Sequence, residues 1–330
     1  MAKAKLECIP RAVMTRKIVL LEGFTRAGKF LLGKICDGLD HCEHFQYVPL
    51  IEQIPPLIRL GFIKKSAGVS LMRLALDESA YSLRIGRNLN FRFNDNSSLY
   101  KNLNADEYLK RCFAPDGQVV IKDFKKSPRR SVFIGHELMP LIDIAFDAFP
   151  SMSVLNLHRH PVDLVYSWWK RKMGLRETSD PLSFNPIYKV DGTLLPWFAI
   201  GFRKEYSRLS PLDRVIESID HLTTMSRERY RALPINIRNS ILSLTHEALI
   251  EDPWKCIELI QPFLGVKAQE HMAVILKREN CGRRLSSDQR AMKWKEIRRN
   301  AKPVSVKKLE ALAGWYEGKV VSGQTGSMYA

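Results

Sequence analysis

The stretch from Lys17 to Ile35, K-I-V-L-L-E-G-F-T-R-A-G-K-F-L-L-G-K-I, restricts the possible folds more than any other part of the chain. Ile18 to Leu21 is a short aliphatic run of the kind that becomes a buried parallel strand. Phe30, Leu31, Leu32, Ile35 and Leu39 then recur at helical spacing. Between strand and helix lies a turn with Gly23, Gly28 and two cations, Arg26 and Lys29. A helix that opens there offers unpaired N–H groups and the positive end of its dipole, so the segment reads as a phosphate-binding loop. A nucleotide kinase needs Ser or Thr after the lysine to hold Mg²⁺, and this chain has Phe30.

The remaining pattern alternates strand and helix. Val119 to Ile121 predicts a second strand ending at Lys122 and Asp123, and Phe133 to Phe149 a helix stopped by Pro150. Val154 to Leu157 predicts a third strand, followed by H-R-H-P and a helix over 162–172. A loop-like stretch over 174–196 precedes a helix over 211–233, a fourth strand at Ile241 to Leu244, and a helix over 254–264 ended by Gly265. Residues 40–70 show no clear period, and 86–104, rich in Asn and Ser, read as irregular. Such alternation predicts an α/β fold, a parallel β-sheet flanked by helices in three layers, with ligands beyond the carboxyl ends of the strands. The loop at 23–30, Lys122-Asp123 and 158–161 all fall at such ends. The domain boundaries expected are a basic arm at 1–16, the α/β domain at 17–284, and a basic helical extension at 285–330 with a mobile tail from Ser322.

Charge narrows the partners. Lys and Arg number 52 against 35 Asp and Glu, a formal charge of +17 that draws in anions. The basic residues are spread along the chain without an aromatic recognition motif between them, which ranks a nucleic-acid-binding role last. The six cysteines form no C-x-x-C pair, the pattern of a reduced cytoplasmic protein with neither disulfide framework nor metal site. No run approaches the roughly 18 apolar residues of a membrane span, and residues 1–17 lack the apolar core of a signal peptide.

Arg159, at a strand end, and Ser167, on the following helix, can converge on one anion through a forked cation and a hydroxyl. With the first loop, the segments F-P-S-M-S-V-L-N-L-H-R-H-P-V-D-L-V-Y-S-W (149–168) and L-S-L-T-H-E-A-L-I-E-D-P-W-K-C-I-E-L-I-Q-P-F-L-G-V (242–266) carry a resemblance. The chain resembles the sulfotransferases that use 3′-phosphoadenosine 5′-phosphosulfate (PAPS), particularly their carbohydrate-type and bacterial branch. Three motifs in order, over about three quarters of the chain, support it.

The resemblance implies that Arg26, Ala27, Gly28, Lys29 and Phe30 surround the 5′-phosphosulfate, and that Arg159 and Ser167 hold the 3′-phosphate. His246 stands near the adenine, and Arg283 and Arg284 belong to a late basic loop that closes over the cofactor. Arg26 and Lys29 would stabilise charge on the leaving phosphate, with Lys122 near the transferred group. The general base is sought among His41, Glu43, His44 and Glu52, with Glu52 first and His44 next. PAPS is the implied cofactor, without a metal. The acceptor it implies is a hydroxyl or amine on a glycan or other small hydroxylated molecule, an acidic one being in keeping with the net charge, and residues 170–205 with Trp168, Trp169 and Trp197 are the region expected to bind it. Assembly is left open, a homodimer being compatible with the sequence. Ala27-Gly28-Lys29-Phe30 lacks the family's loop hydroxyls, His160 replaces an Asp, and Ala248 replaces another. Two enzyme-side alternatives therefore stand beside the first reading: a P-loop kinase-like phosphotransferase and a degenerate, cofactor-binding homologue.

Overall fold

The computed structural model describes residues 7–321 and 328–329. The aliphatic run that opens the sequence forms strand β1 (Ile18–Glu22), joined in one sheet by β2 (Gln46–Tyr47), β3 (Ser131–Ile134) and β4 (Ser153–His158). A small antiparallel hairpin, β5 (Tyr188–Val190) and β6 (Thr193–Leu195), stands apart, and β7 (Ile241–Thr245) completes the main sheet. The order is β2-β3-β1-β4-β7, and every neighbouring pair is parallel.

Side chains alternate across this sheet, as a pleated strand requires. Ile18, Leu20, Phe133, Val154 and Ile241 are buried on one face against the helices Leu50–Arg59, Lys65–Arg84 and Ile142–Ala148. Val19, Leu21, Val132, Leu155 and Leu244 fill the other against Lys29–Asp37, Pro253–Leu264 and Met272–Arg278. Truncating one such fully buried aliphatic to Ala costs about 2–5 kcal/mol. A third core lies beside the sheet, where Val165, Trp168, Ile219 and Leu222 meet Ile297, Leu309 and Leu312. It joins the helices Pro161–Lys170 and Pro211–Ala232 to Ser287–Asn300 and Pro303–Val321, so the helices beyond residue 285 pack into the body. No helix among the described residues is long and apolar enough to cross a membrane.

Two expectations are corrected. Val119–Ile121 lies in a helix, Gln118–Lys126, where Val120 is buried and Val119 is 55% exposed. The strand comes later, as S-V-F-I in β3, and the helix expected over 133–149 is reduced to Ile142–Ala148. Three adjacent β-branched residues suit a strand locally, but only a run buried on both faces can enter a parallel sheet, and this one is not. Residues 322–327 of the expected tail lie outside the described residues. Met328 and Tyr329, however, are buried. The Tyr329 ring stacks on Trp315 at 6.3 Å and meets His158 edge-on at 4.8 Å.

From β1 the chain passes to one side of the sheet, and from β4 to the other. The carboxyl ends of β1 and β4 therefore flank a topological switch point, where a parallel sheet opens a crevice for ligands.

Candidate active site

The loop after β1 is shaped by two close approaches. A Cβ on Gly23 would lie 2.3 Å from the Leu157 carbonyl oxygen, and one on Gly28 would lie 2.4 Å from Nδ1 of His246. Arg26 adopts the left-handed φ of 72°, which non-glycine residues rarely occupy. The Ala27 amide donates to the Phe24 carbonyl at 2.9 Å, and those of Leu31 and Leu32 to the Gly28 carbonyl. The N–H groups of Gly28, Lys29 and Phe30 find no acceptor among the described residues, the condition in which a helix N-terminus receives an anion.

The cations divide. Lys29 is buried, and its ammonium donates to the carbonyls of Gly23 (2.5 Å) and Phe24 (2.8 Å). Burial lowers its pKa, against the pull of Glu137, Glu22 and Glu52. Phe30 offers no hydroxyl and packs edge-on to Phe45. Arg26 is exposed, and burial of its stem followed by the guanidiniums of Arg171 and Arg159 lowers its pKa. Arg159 donates to the Arg26 carbonyl at 2.8 Å, and its Nε is buried without a partner. None of these three arginines forms an ion pair among the described residues.

The segment after β4 holds Arg159 in place. His160 caps the following helix, its Nδ1 accepting from the Val162 amide at 3.3 Å. Its own amide donates to Glu247, which also accepts from the Tyr316 hydroxyl at 2.6 Å. Asp163 accepts from Arg290 (2.9 Å) and Lys293 (2.6 Å). The same helix carries half-buried Ser167, and Trp168 donates its indole N–H to the Thr25 carbonyl at 2.5 Å. His246 lies against Gly28, with Nδ1 buried and unpartnered. Burial, then Arg159, pushes its pKa down to about 4, so the ring is neutral at physiological pH. Arg283 acts on the same imidazole, and both Arg283 and Arg284 are exposed.

A second group gathers at the end of β3. Glu52 accepts from the Tyr47 hydroxyl (2.6 Å), the His136 amide (2.8 Å) and faces His136 Nδ1 (2.9 Å). Glu137, at a left-handed φ of 53°, accepts from both the amide and the hydroxyl of Thr25, tying this group to the loop after β1. Burial raises its pKa despite His136 and Lys29. A carboxylate orienting an imidazole that lines a cleft is the arrangement of a general base. The cleft beside it is walled by Trp197, Phe198, Pro186 and Pro196, all from the 170–205 segment.

Several expected residues sit elsewhere. His44 bonds Asp37 at 2.9 Å, at the far end of the helix that the loop begins, about 13 Å along its axis. Glu43 lies nearby, paired with Arg84 and Arg111. Lys122 is exposed on Gln118–Lys126, the helix leading into the amino end of β3, and so lies away from the loop after β1. Trp168 is core, and Trp169 lies under the Lys170 ammonium at 4.3 Å. Sequence reasoning missed His136, Glu137 and Arg171. The first two follow V-F-I-G at a strand end, a signal hidden while 133–149 was read as helix.

No protein-family model and no curated protein matches the chain. Among solved structures, it is similar to the sulfotransferase domain from the curacin biosynthetic pathway, at 14% identity and a TM-score of 0.47, over 90% of this chain and 96% of that one. It is similar also to the sulfotransferase domain of the Synechococcus PCC 7002 olefin synthase, at 13% identity and a TM-score of 0.46, over 95% and 98%. A sulfotransferase from Alicyclobacillus acidocaldarius follows, at 14% and 0.38, over 91% and 96%. With TM-scores below 0.5, this likeness assigns no residue and no activity to the chain.

Proposed function

We propose that the protein is a sulfotransferase that moves the sulfuryl group of PAPS to an acceptor hydroxyl or amine. The observation that carries this reading is Arg159 held on the Arg26 carbonyl at 2.8 Å, in a loop whose first helical N–H groups are open, with the charge of Arg171 near enough to act on Arg26. Like charges held together without counter-ions stabilise neither one another nor the fold, whereas a multiply charged anion satisfies all three. A nucleotide bisphosphate fits the chemistry of this set. The buried, unpartnered Nε of Arg159 offers a donor to a phosphate, and the neutral His246 ring beside Gly28 a surface for a base.

Arg26, Gly28 and the first N–H groups of the helix would hold the 5′ end of PAPS, and Arg159 with Ser167 its 3′-phosphate. Bound there, PAPS supplies an activated sulfuryl group with a phosphate as leaving group. Arg26, fixed by its strained backbone, stabilises charge developing on that phosphate. Lys29 does not reach outward; it holds Gly23 and Phe24 and so keeps the loop shaped. His136, with Nδ1 on Glu52, receives the acceptor's proton at Nε2. Replacing His136 with Asn is expected to lower kcat about 10²–10⁴-fold while leaving donor affinity unchanged.

The kinase-like alternative requires a lysine free for phosphate and a hydroxyl after it, and neither is present here. Calorimetric titration with 3′-phosphoadenosine 5′-phosphate beside ATP and Mg²⁺ separates the two. The bisphosphate should bind wild type and lose about 100-fold in affinity with Arg159→Ala. Binding of Mg²⁺-ATP without the bisphosphate would sink the proposal.

A further inference from the structure

Facing the loop after β1 is the part of the chain that the sequence places farthest from it. Gly23, Phe24 and Arg159 meet Trp315, Tyr316 and Tyr329 across one cavity, where the space left over, about 30 Å³, is the share of a single water molecule. Met328 and Tyr329 are buried, at 0% and 4% exposure. The Tyr329 ring is held by three others: it stacks on Trp315 at 6.3 Å with 10° between the planes, meets His158 edge-on at 4.8 Å, and tilts against Tyr230 at 6.0 Å.

This seat is polar as well as aromatic. Glu22 and His158, the last residues of β1 and β4, line the same cavity with Asn156. Asn156 Nδ2 and His158 Nε2 are 3.0 Å apart, and Glu22 Oε2 is buried without a partner. The Tyr329 hydroxyl lies beside Asn156 and Ser226, with Glu22 near enough to act on it. Without the ring a void opens against these polar groups, and such a space draws in water. The end of β4 also sets the donor side: the Leu157 carbonyl leaves room only for glycine at 23, and Arg159 follows His158 directly. On the other side of Arg159 stands His160, and the same C-terminal helix holds it. Its ring lies 5.4 Å from that of Tyr316, its Nε2 is 3.0 Å from Glu317, and its amide donates to Glu247, the acceptor of the Tyr316 hydroxyl.

Because His158 and His160 bracket Arg159 and C-terminal side chains hold both, we infer that Tyr329 is a positioning residue of the donor site, its seating coupled to the binding of the donor. The inference rests on the proposed function, which makes Arg159 a donor ligand. Coupling of this kind is reciprocal: the factor by which a seated Tyr329 strengthens donor binding is the factor by which bound donor strengthens the seat. A ring that only stabilised the fold would show neither effect.

The test measures both directions. In calorimetry with 3′-phosphoadenosine 5′-phosphate, Tyr329→Ala should bind about tenfold more weakly than wild type, and Tyr329→Phe, which keeps the ring, within roughly twofold of it. Carboxypeptidase Y digestion of the wild type, followed by mass spectrometry, reports how often Tyr329 leaves its seat. Saturating bisphosphate should slow its removal by about the same tenfold factor. In Tyr329→Ala the terminal residues should be removed quickly with or without bisphosphate. Equal affinity in wild type and Tyr329→Ala, or wild-type digestion that bisphosphate does not slow, would overturn the inference and leave the proposed function standing. Should Tyr329→Ala fail to fold, the wild-type digestion decides alone. A wild type that binds no bisphosphate would overturn the proposed function and this inference together.

Discussion

Two clusters of three arginines occupy opposite edges of the same sheet, and they are built in opposite ways. At the amino edge, Arg84, Arg111 and Arg129 surround the buried Glu43 at 3.2, 2.8 and 3.8 Å, and Arg111 and Arg129 each reach Glu107 at 2.7 Å. At the carboxyl edge, Arg26, Arg159 and Arg171 have no carboxylate partner among the described residues. Composition treats all six alike. Pairing distinguishes them: a charge with its counter-ion in place is committed to the fold, whereas like charges gathered without one leave a site for an anion from outside.

The largest effect expected from breaking this contrast is at the paired edge. Glu43→Ala leaves three partly buried guanidiniums without their shared partner and should destabilise by about 3–5 kcal/mol, measured by urea unfolding. At the unpaired edge, Arg159→Ala should leave the unfolding midpoint unchanged or raised while removing the affinity for bisphosphate. A midpoint that fell as far as that of Glu43→Ala would show the two clusters to be the same kind of object.

A pH series sharpens the comparison further. The folded-state pKa of His246 lies at about 4, below the ordinary value near 6.5, so the unfolded chain takes up a proton there that the folded chain refuses. Stability from this group is therefore complete above about pH 6.5 and is lost as pH falls toward 4, by up to about 1.4 kcal/mol per pH unit. His246→Asn should flatten the wild-type slope across that window, and Arg159→Ala should flatten it in part, because Arg159 is the second cause of the shift after burial. Equal slopes in all three proteins would separate His246 from the arginine cluster. The smallest effect is expected from Lys122→Ala, within about 0.5 kcal/mol in stability and without change in bisphosphate binding, because this lysine is exposed at the paired edge of the sheet.

The first loop was legible because a strand, two glycines and a helix start are consecutive, and their geometry follows from local conformational preference. The α/β class and the segment at 158–167 belong to the same local order. His136 and Glu137 were not legible, since 133–149 contains enough apolar residues to pass for one helix, and only the sheet shows that V-F-I pairs beside β1. The group around Glu43 and His44 misled for the converse reason: His, Cys and Glu within a few residues suggest chemistry, but they stand where the helix after the loop has already carried the chain to the other edge.

What the sequence determined by itself was therefore the α/β class, the loop and the excess of cations, each a matter of residue type and short-range spacing. The tertiary structure alone decided the fate of each charge. Lys29 was drawn inward to the carbonyls of its own loop, Arg84, Arg111 and Arg129 were paired, and Arg26, Arg159 and Arg171 were left unpaired from positions up to 145 residues apart in the chain. Coulomb energy depends on distance and burial through space, and neither quantity is a function of position along the chain.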